Sequence, residues 1–131
     1  MQSNLRKTVA ILPLLLLILT LGLAACGGAS TNVNAPANEV DMGPANFVQT
    51  SRAISTGQSI HFVDQQSGTT HMLCIGRDGS CDTSAKAPKD LASPGFSIQP
   101  GQTHDVLFDT AGTYTITCPI HPSMNLTITV R

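Results

Sequence analysis

From Glu39 onward the chain contains no amphipathic helix of respectable length, and this limits its fold more than any other feature. In place of a 3.6-residue period there are short segments rich in Val, Ile, Thr, Phe and Tyr, cut apart by Gly, Pro, Asp and Ser. The pattern predicts strands near 46–50, 52–55, 58–64, 70–76, 95–98, 103–109, 113–118 and 125–131, with the clearest stops at Pro100-Gly101 and Ala111-Gly112. In "NLTITVR", Leu126, Ile128 and Val130 share one face and Thr127 and Thr129 the other, the half-buried alternation of a sheet covered on one side. Seven or eight such strands with no internal repeat imply an all-β domain, a two-sheet Greek-key sandwich.

The first 25 residues read as an address label. Arg6 and Lys7 precede the apolar run "VAILPLLLLILTLGL", and small residues close it. A transmembrane anchor is the competing reading, because residues 9–25 are all apolar or small, near the lower limit of a bilayer span. Leu23-Ala24-Ala25-Cys26 favours export, since it resembles the bacterial lipobox, in which cleavage precedes a cysteine that then carries lipid. Several acyl chains on Cys26, each buried CH₂ contributing about 0.8 kcal/mol, would make a durable anchor. The expected organisation is a lipoprotein signal peptide at 1–25, a flexible tether of small polar residues at 26–38, and one folded domain at 39–131. The expected location is the extracytoplasmic face of a bacterial membrane, periplasmic or on the cell surface.

Without the signal, five Lys plus Arg remain of seven, against eight Asp plus Glu, a net charge of −3. The remaining cations, Arg52, Arg77, Lys86, Lys89 and Arg131, are scattered, so the basic stripe that nucleic acid requires is missing.

One long connection, "RDGSCDTSAKAPKDLASP", runs from 77 to 94 and contains Cys81. On the preceding strand, Met72 and Cys74 point away from the face that His71 and Leu73 occupy. If His71 faces inward, Cys74 faces the loop, and a Cys74–Cys81 disulfide is expected in an oxidising compartment. Two free thiols are the alternative, and a second metal site using both finds no extra His or carboxylate at convincing spacing.

The most specific stretch is "TITCPIHPSMNLTITV", in which Cys118, His121 and Met124 stand three apart between two strand-like runs. Thiolate and thioether are soft donors. Zinc has little use for Met, calcium and magnesium want oxygen, and an iron–sulfur cluster needs more cysteines. Copper remains, a single Cu(I)/Cu(II) ion in a plane of one Cys and two His with a weak axial Met. This predicts a second His from elsewhere. His71, at the start of a strand, is the foremost candidate, with His61 and His104 as alternatives.

These residues carry a family resemblance: over roughly 40–131 the chain resembles a cupredoxin, a small blue copper protein of the plastocyanin and amicyanin type. "GQSIHFVDQQSGTTHML" is similar to the family's strand-turn-His segment, "PGQTHDVLFDTAGTYTITC" to the run up to its Cys, and "CPIHPSM" to the Cys-x2-His-x2-Met spacing of amicyanin-like proteins. The resemblance implies His71, Cys118 and His121 as strong ligands and Met124 as the axial one. The chain departs from the family pattern at Met72, where Asn is common, and at Leu126, where Gly is common. The expected function is that of an electron carrier, not an enzyme: a monomer passing single electrons between redox proteins such as cytochromes, oxidases or copper reductases. The alternative is copper delivery or storage.

Overall fold

The computed structural model describes residues 35–131; the segment expected to be signal peptide and most of the expected tether, with Cys26, the expected lipidation site, lie outside the described residues. Nine strands follow in order: β1 (Glu39–Met42), β2 (Ser51–Ile54), β3 (Gln58–Asp64), β4 (His71–Arg77), β5 (Ser80–Cys81), β6 (Phe96–Ile98), β7 (Thr103–Phe108), β8 (Gly112–Cys118) and β9 (His121–Val130). They form two sheets, β1-β3-β7 and β2-β9-β8-β4-β5, with β6 paired to β4. The all-β sandwich is as expected, and two parallel pairs, β1 with β3 and β2 with β9, bring distant parts of the chain together.

Alternation along the strands builds the core. In β9 the buried residues are Met124, Leu126, Ile128 and Val130; in β3 they are Ile60, Phe62 and Asp64. The two faces meet around Phe62, Phe108, Leu73 and Ile116, all fully shielded. Each such apolar side chain contributes about 1.5–3 kcal/mol on burial.

Three boundaries differ from expectation, one of them the onset of β9 at His121 in place of 125. Residues 46–50 are not a strand: Pro44 offers no N–H for a ladder, Gly43 N–H closes a turn on the Asn46 carbonyl, and Phe47 makes only an isolated bridge to Met42. The strand in that region is β1 just before it, whose four residues pair in parallel with β3. The long connection is also less bare than its composition suggests. Its start forms the β4–β5 hairpin, and a 3₁₀ turn at Lys89–Leu91 plugs Leu91 fully into the core.

The Cys74–Cys81 disulfide is present, with its sulfurs 2.00 Å apart. It ties the hairpin to β4. Gly95 ends the connection at φ 87°, where a Cβ would lie 1.9 Å from the Leu73 carbonyl oxygen, so only Gly lets the chain return this close to β4.

The register places the two halves of the site. β4 and β8 are antiparallel, with Cys74 opposite Thr117 and Ile75 opposite Ile116. The start of one therefore lies at the end of the other, which brings His71 and Cys118 to the same end of the sandwich. Between β8 and β9 the register jumps: Thr117 faces Asn125, but Cys118 faces His121. The residues left unpaired on β9 are Pro122, Ser123 and Met124, which loop out of the ladder.

Candidate metal centre

His71, Cys118 and His121 bring one donor atom each to within 4.8 Å of the others. Cys118 Sγ lies 4.0 Å from His71 Nδ1 and 3.7 Å from His121 Nδ1, and the two rings are tilted by 53° with centroids 5.0 Å apart. An ion about 2.3 Å from sulfur and about 2.0 Å from each nitrogen, in a trigonal plane, sets S and N about 3.7 Å apart. The two sulfur–nitrogen edges are already close to that spacing, so a first-row metal fits the donor set.

The environment is graded. His71 and Cys118 are fully shielded, Met124 nearly so, and His121 is half-buried between exposed Ile120 and Pro122. Burial, the dominant cause, pushes the His71 pKa down; the Asp64 carboxylate opposes this, His121 adds to it, and a hydrogen bond to the Gly43 backbone opposes it again. A neutral imidazole is the form that ligates a metal.

Support for the turn comes from the β4–β5 hairpin. Gly79 N–H donates to Thr117 Oγ1 (2.9 Å), and that hydroxyl donates to the Met124 carbonyl (3.2 Å). Asp78 N–H donates to Asn125 Oδ1 (3.0 Å), and Asn125 Nδ2 donates to Asp78 Oδ1 (2.9 Å). The hairpin thus grips both sides of the looped-out segment. These bonds join the β4–β5 hairpin to the ligand turn, in a chain whose residue after His71 is Met72.

Residues 34–131 match the family described as copper binding proteins, plastocyanin/azurin family. The chain belongs to this family. Its single copper site is formed by His71, Cys118, His121 and Met124, and the family's members are electron carriers rather than enzymes. Similar solved structures are amicyanins. One is amicyanin from Paracoccus versutus (Thiobacillus versutus), with 17% identity, a TM-score of 0.55, and 75% of this chain and 86% of that one covered. Another is the reduced state of an amicyanin mutant, with 18% identity, a TM-score of 0.56, and 79% and 90% covered. A third is the reduced Cu(I) form of an amicyanin mutant at pH 4, with 19% identity, a TM-score of 0.55, and the same coverage. At this identity the likeness speaks for the fold. Among curated proteins, none matches the chain.

Of the other histidines, neither joins the copper site. His61 Nδ1 pairs with Asp105 at 2.7 Å on the sheet surface, and His104 stacks on Phe96 and meets Asp90 at 3.0 Å. The supporting residues escape a reading of ligand spacing: Asp64, Asp78, Gly79, Thr117 and Asn125, and Ser67, whose hydroxyl stands 3.3 Å from His71 Nε2. For Asp64 a signal exists, because the inward parity of Ile60 and Phe62 continues to it.

Proposed function

We propose that the protein is a membrane-tethered carrier of single electrons, working outside the cytoplasm between redox proteins such as cytochromes, oxidases or copper reductases. When bound, copper supplies a one-electron Cu(II)/Cu(I) couple and no substrate is transformed. The observation that carries the reading is the preset cluster of Cys118, His71 and His121, whose sulfur–nitrogen edges already suit a trigonal ion. Pro119 and Pro122 fix φ on both sides of His121, and the hairpin bonds fix Thr117 and Met124. A site held this firmly rearranges little when an electron moves, and small rearrangement means fast transfer.

His121 is the port for electrons, being the one strong ligand that is part-exposed. Beside it Ile120 is 52% exposed, an apolar contact suited to brief docking. Export is supported by the signal-like start, by Leu23-Ala24-Ala25-Cys26, and by a disulfide of the kind that oxidising compartments preserve. Tethering through Cys26 is tested by expressing the full chain beside Cys26→Ala in a bacterial host; anchoring is refuted if both fractionate identically.

The copper role is tested by the visible spectrum of the full chain with Cu(II), beside Cys118→Ser. The expected result is an intense band towards the red, bleached by ascorbate and missing in the variant. A colourless protein that binds Cu(I) tightly would instead indicate copper delivery or storage.

A further inference from the structure

Asp64 is the last residue of β3, on the face that buries Ile60 and Phe62, and its side chain is wholly shielded from solvent. Its Oδ1 accepts the Ser67 N–H at 2.9 Å. Its Oδ2 is buried and, in the described residues, has no hydrogen-bond partner. His71 Nε2 stands 3.9 Å from that oxygen. A buried carboxylate oxygen without a partner is costly, so its retention calls for a reason.

His71 supplies one. Its Nδ1 faces Cys118 Sγ, and its Nε2 has two side-chain oxygens close by, Ser67 Oγ at 3.3 Å and Asp64 Oδ2 at 3.9 Å. A neutral imidazole carries one N–H, and a metal needs the lone pair of the other nitrogen. Oxygens around Nε2 favour the proton there, which leaves Nδ1 free. Ser67 offers a neutral acceptor, whereas Asp64 offers a charge.

That charge decides the sign of a second effect. One thiolate, two neutral imidazoles and a thioether leave the site at +1 with Cu(II) and at zero with Cu(I). Adding Asp64 makes the oxidised site neutral and the reduced site −1. In a poorly solvated interior the neutral arrangement is the cheaper one.

We infer that Asp64 is a positioning residue of the copper site. Its carboxylate backs His71, holds the proton on Nε2 so that Nδ1 faces the metal, and biases the site towards Cu(II). Carboxylates behind metal-bound histidines act in this way on orientation and ligand basicity. Ser67 completes the arrangement, since its N–H fixes one carboxylate oxygen while its hydroxyl stands beside the same imidazole. The inference rests on copper being the ion and is independent of the tether and of the redox partner.

The test uses the full chain as wild type, Asp64→Asn and Ser67→Ala. Nitrogen-15 NMR of the copper-free protein reads the His71 tautomer, and redox titration of the copper-loaded protein reads the potential. Asn suits the site poorly: with its oxygen towards Ser67 N–H it points an amide NH₂ at Nε2, and turned round it sets NH₂ against that N–H. The expected result is a wild-type His71 protonated on Nε2, a mixed tautomer in Asp64→Asn, and about a tenfold fall in the preference for Cu(II) over Cu(I). For one electron, tenfold is a rise of about 59 mV.

Ser67→Ala keeps the carboxylate, so it should keep both the tautomer and a potential equivalent to less than a twofold change. A wild-type His71 protonated on Nδ1 overturns the inference, as does a folded Asp64→Asn with an unmoved potential. If Asp64→Asn does not fold, Ser67→Ala still decides: loss of the Nε2–H tautomer there assigns the role to the hydroxyl and overturns the proposal, and its retention supports the carboxylate. A wild type with no thiolate-to-copper band would refute the electron-carrier reading instead, so the two failures are distinct.

Discussion

The β8–β9 turn and the start of β4 build one site in opposite ways. The turn places Cys118, His121 and Met124 within seven residues, with His121 at the half-exposed rim. The start of β4 contributes only His71, at 0% exposure, with a buried carboxylate behind it. The turn groups donors cheaply because they are neighbours in the chain, and it leaves one of them open to a partner. The strand start costs a long excursion of chain but gives a donor sealed in the interior. The difference teaches that the open donor and the sealed donor are separated in space, one at each histidine.

The most severe way to break this comparison is to empty each histidine in turn. Both His121→Gly and His71→Gly should lose the red band, since each removes a strong ligand. Added imidazole should restore it in His121→Gly, where the hole opens to solvent, and fail to do so in His71→Gly. Thermal unfolding should separate them as well. Emptying the buried His71 site costs about 2–5 kcal/mol, in the range for truncating large core side chains, while the half-exposed His121 site costs about 1 kcal/mol. Equal rescue of both variants would mean that the two sides are equally open.

Next in size is the disulfide, which belongs to the β4 side of the comparison. Cys74→Ala with Cys81→Ala opens a short loop and should lower stability by about 2–3 kcal/mol in chemical denaturation. The copper spectrum should survive, because β4 still pairs with β8 beyond Cys74. Loss of the colour in a folded double variant would show that the hairpin needs this covalent tie to grip the turn.

How much of this was legible differs between the two regions for the same reason. Cys118, His121 and Met124 can be read directly, because their spacing is local and their chemistry selects one kind of ion. His71 follows from topology, since antiparallel neighbours bring the start of one strand to the end of the other. Asp64 resists reading: it heads the polar run "DQQSG", which looks like an exposed turn, and only its parity with Ile60 and Phe62 reveals its burial. β1 was missed and 46–50 misplaced because a four-residue strand pairing in parallel with β3 leaves no local signature, whereas Phe47 and Val48 look strand-like yet follow a proline-bearing turn. The onset of β9 at His121, four residues before the expected 125, comes from a ladder that resumes on the far side of the looped-out segment.

The hairpin's hold on the turn is sharpened by Thr117→Val, which keeps the shape and removes the hydroxyl. Two groups lose their partner, the Gly79 N–H and the Met124 carbonyl, so the expected cost is about 1–3 kcal/mol in unfolding experiments. Because the second of these is the backbone of the copper-site residue Met124, the visible bands should shift as well. A variant with unchanged bands would leave the hydroxyl a purely structural role.

The smallest expected effect comes from Gly79→Ala, which presses on the same contact from the other side. Gly79 has φ 79°, and a Cβ there would lie 2.9 Å from Pro122 Cβ. The left-handed backbone alone costs Ala about 1–2 kcal/mol, and the proline ring has to shift by a few tenths of an ångström. Pro122 adjoins His121, so the displacement is passed to the exposed ligand and spares the buried one. If the two regions are as separate as their surroundings suggest, NMR of the Gly79→Ala chain should show His121 perturbed and His71 unchanged. Equal perturbation of both rings would mean that the site responds as one rigid unit, with no division between the open side and the sealed one.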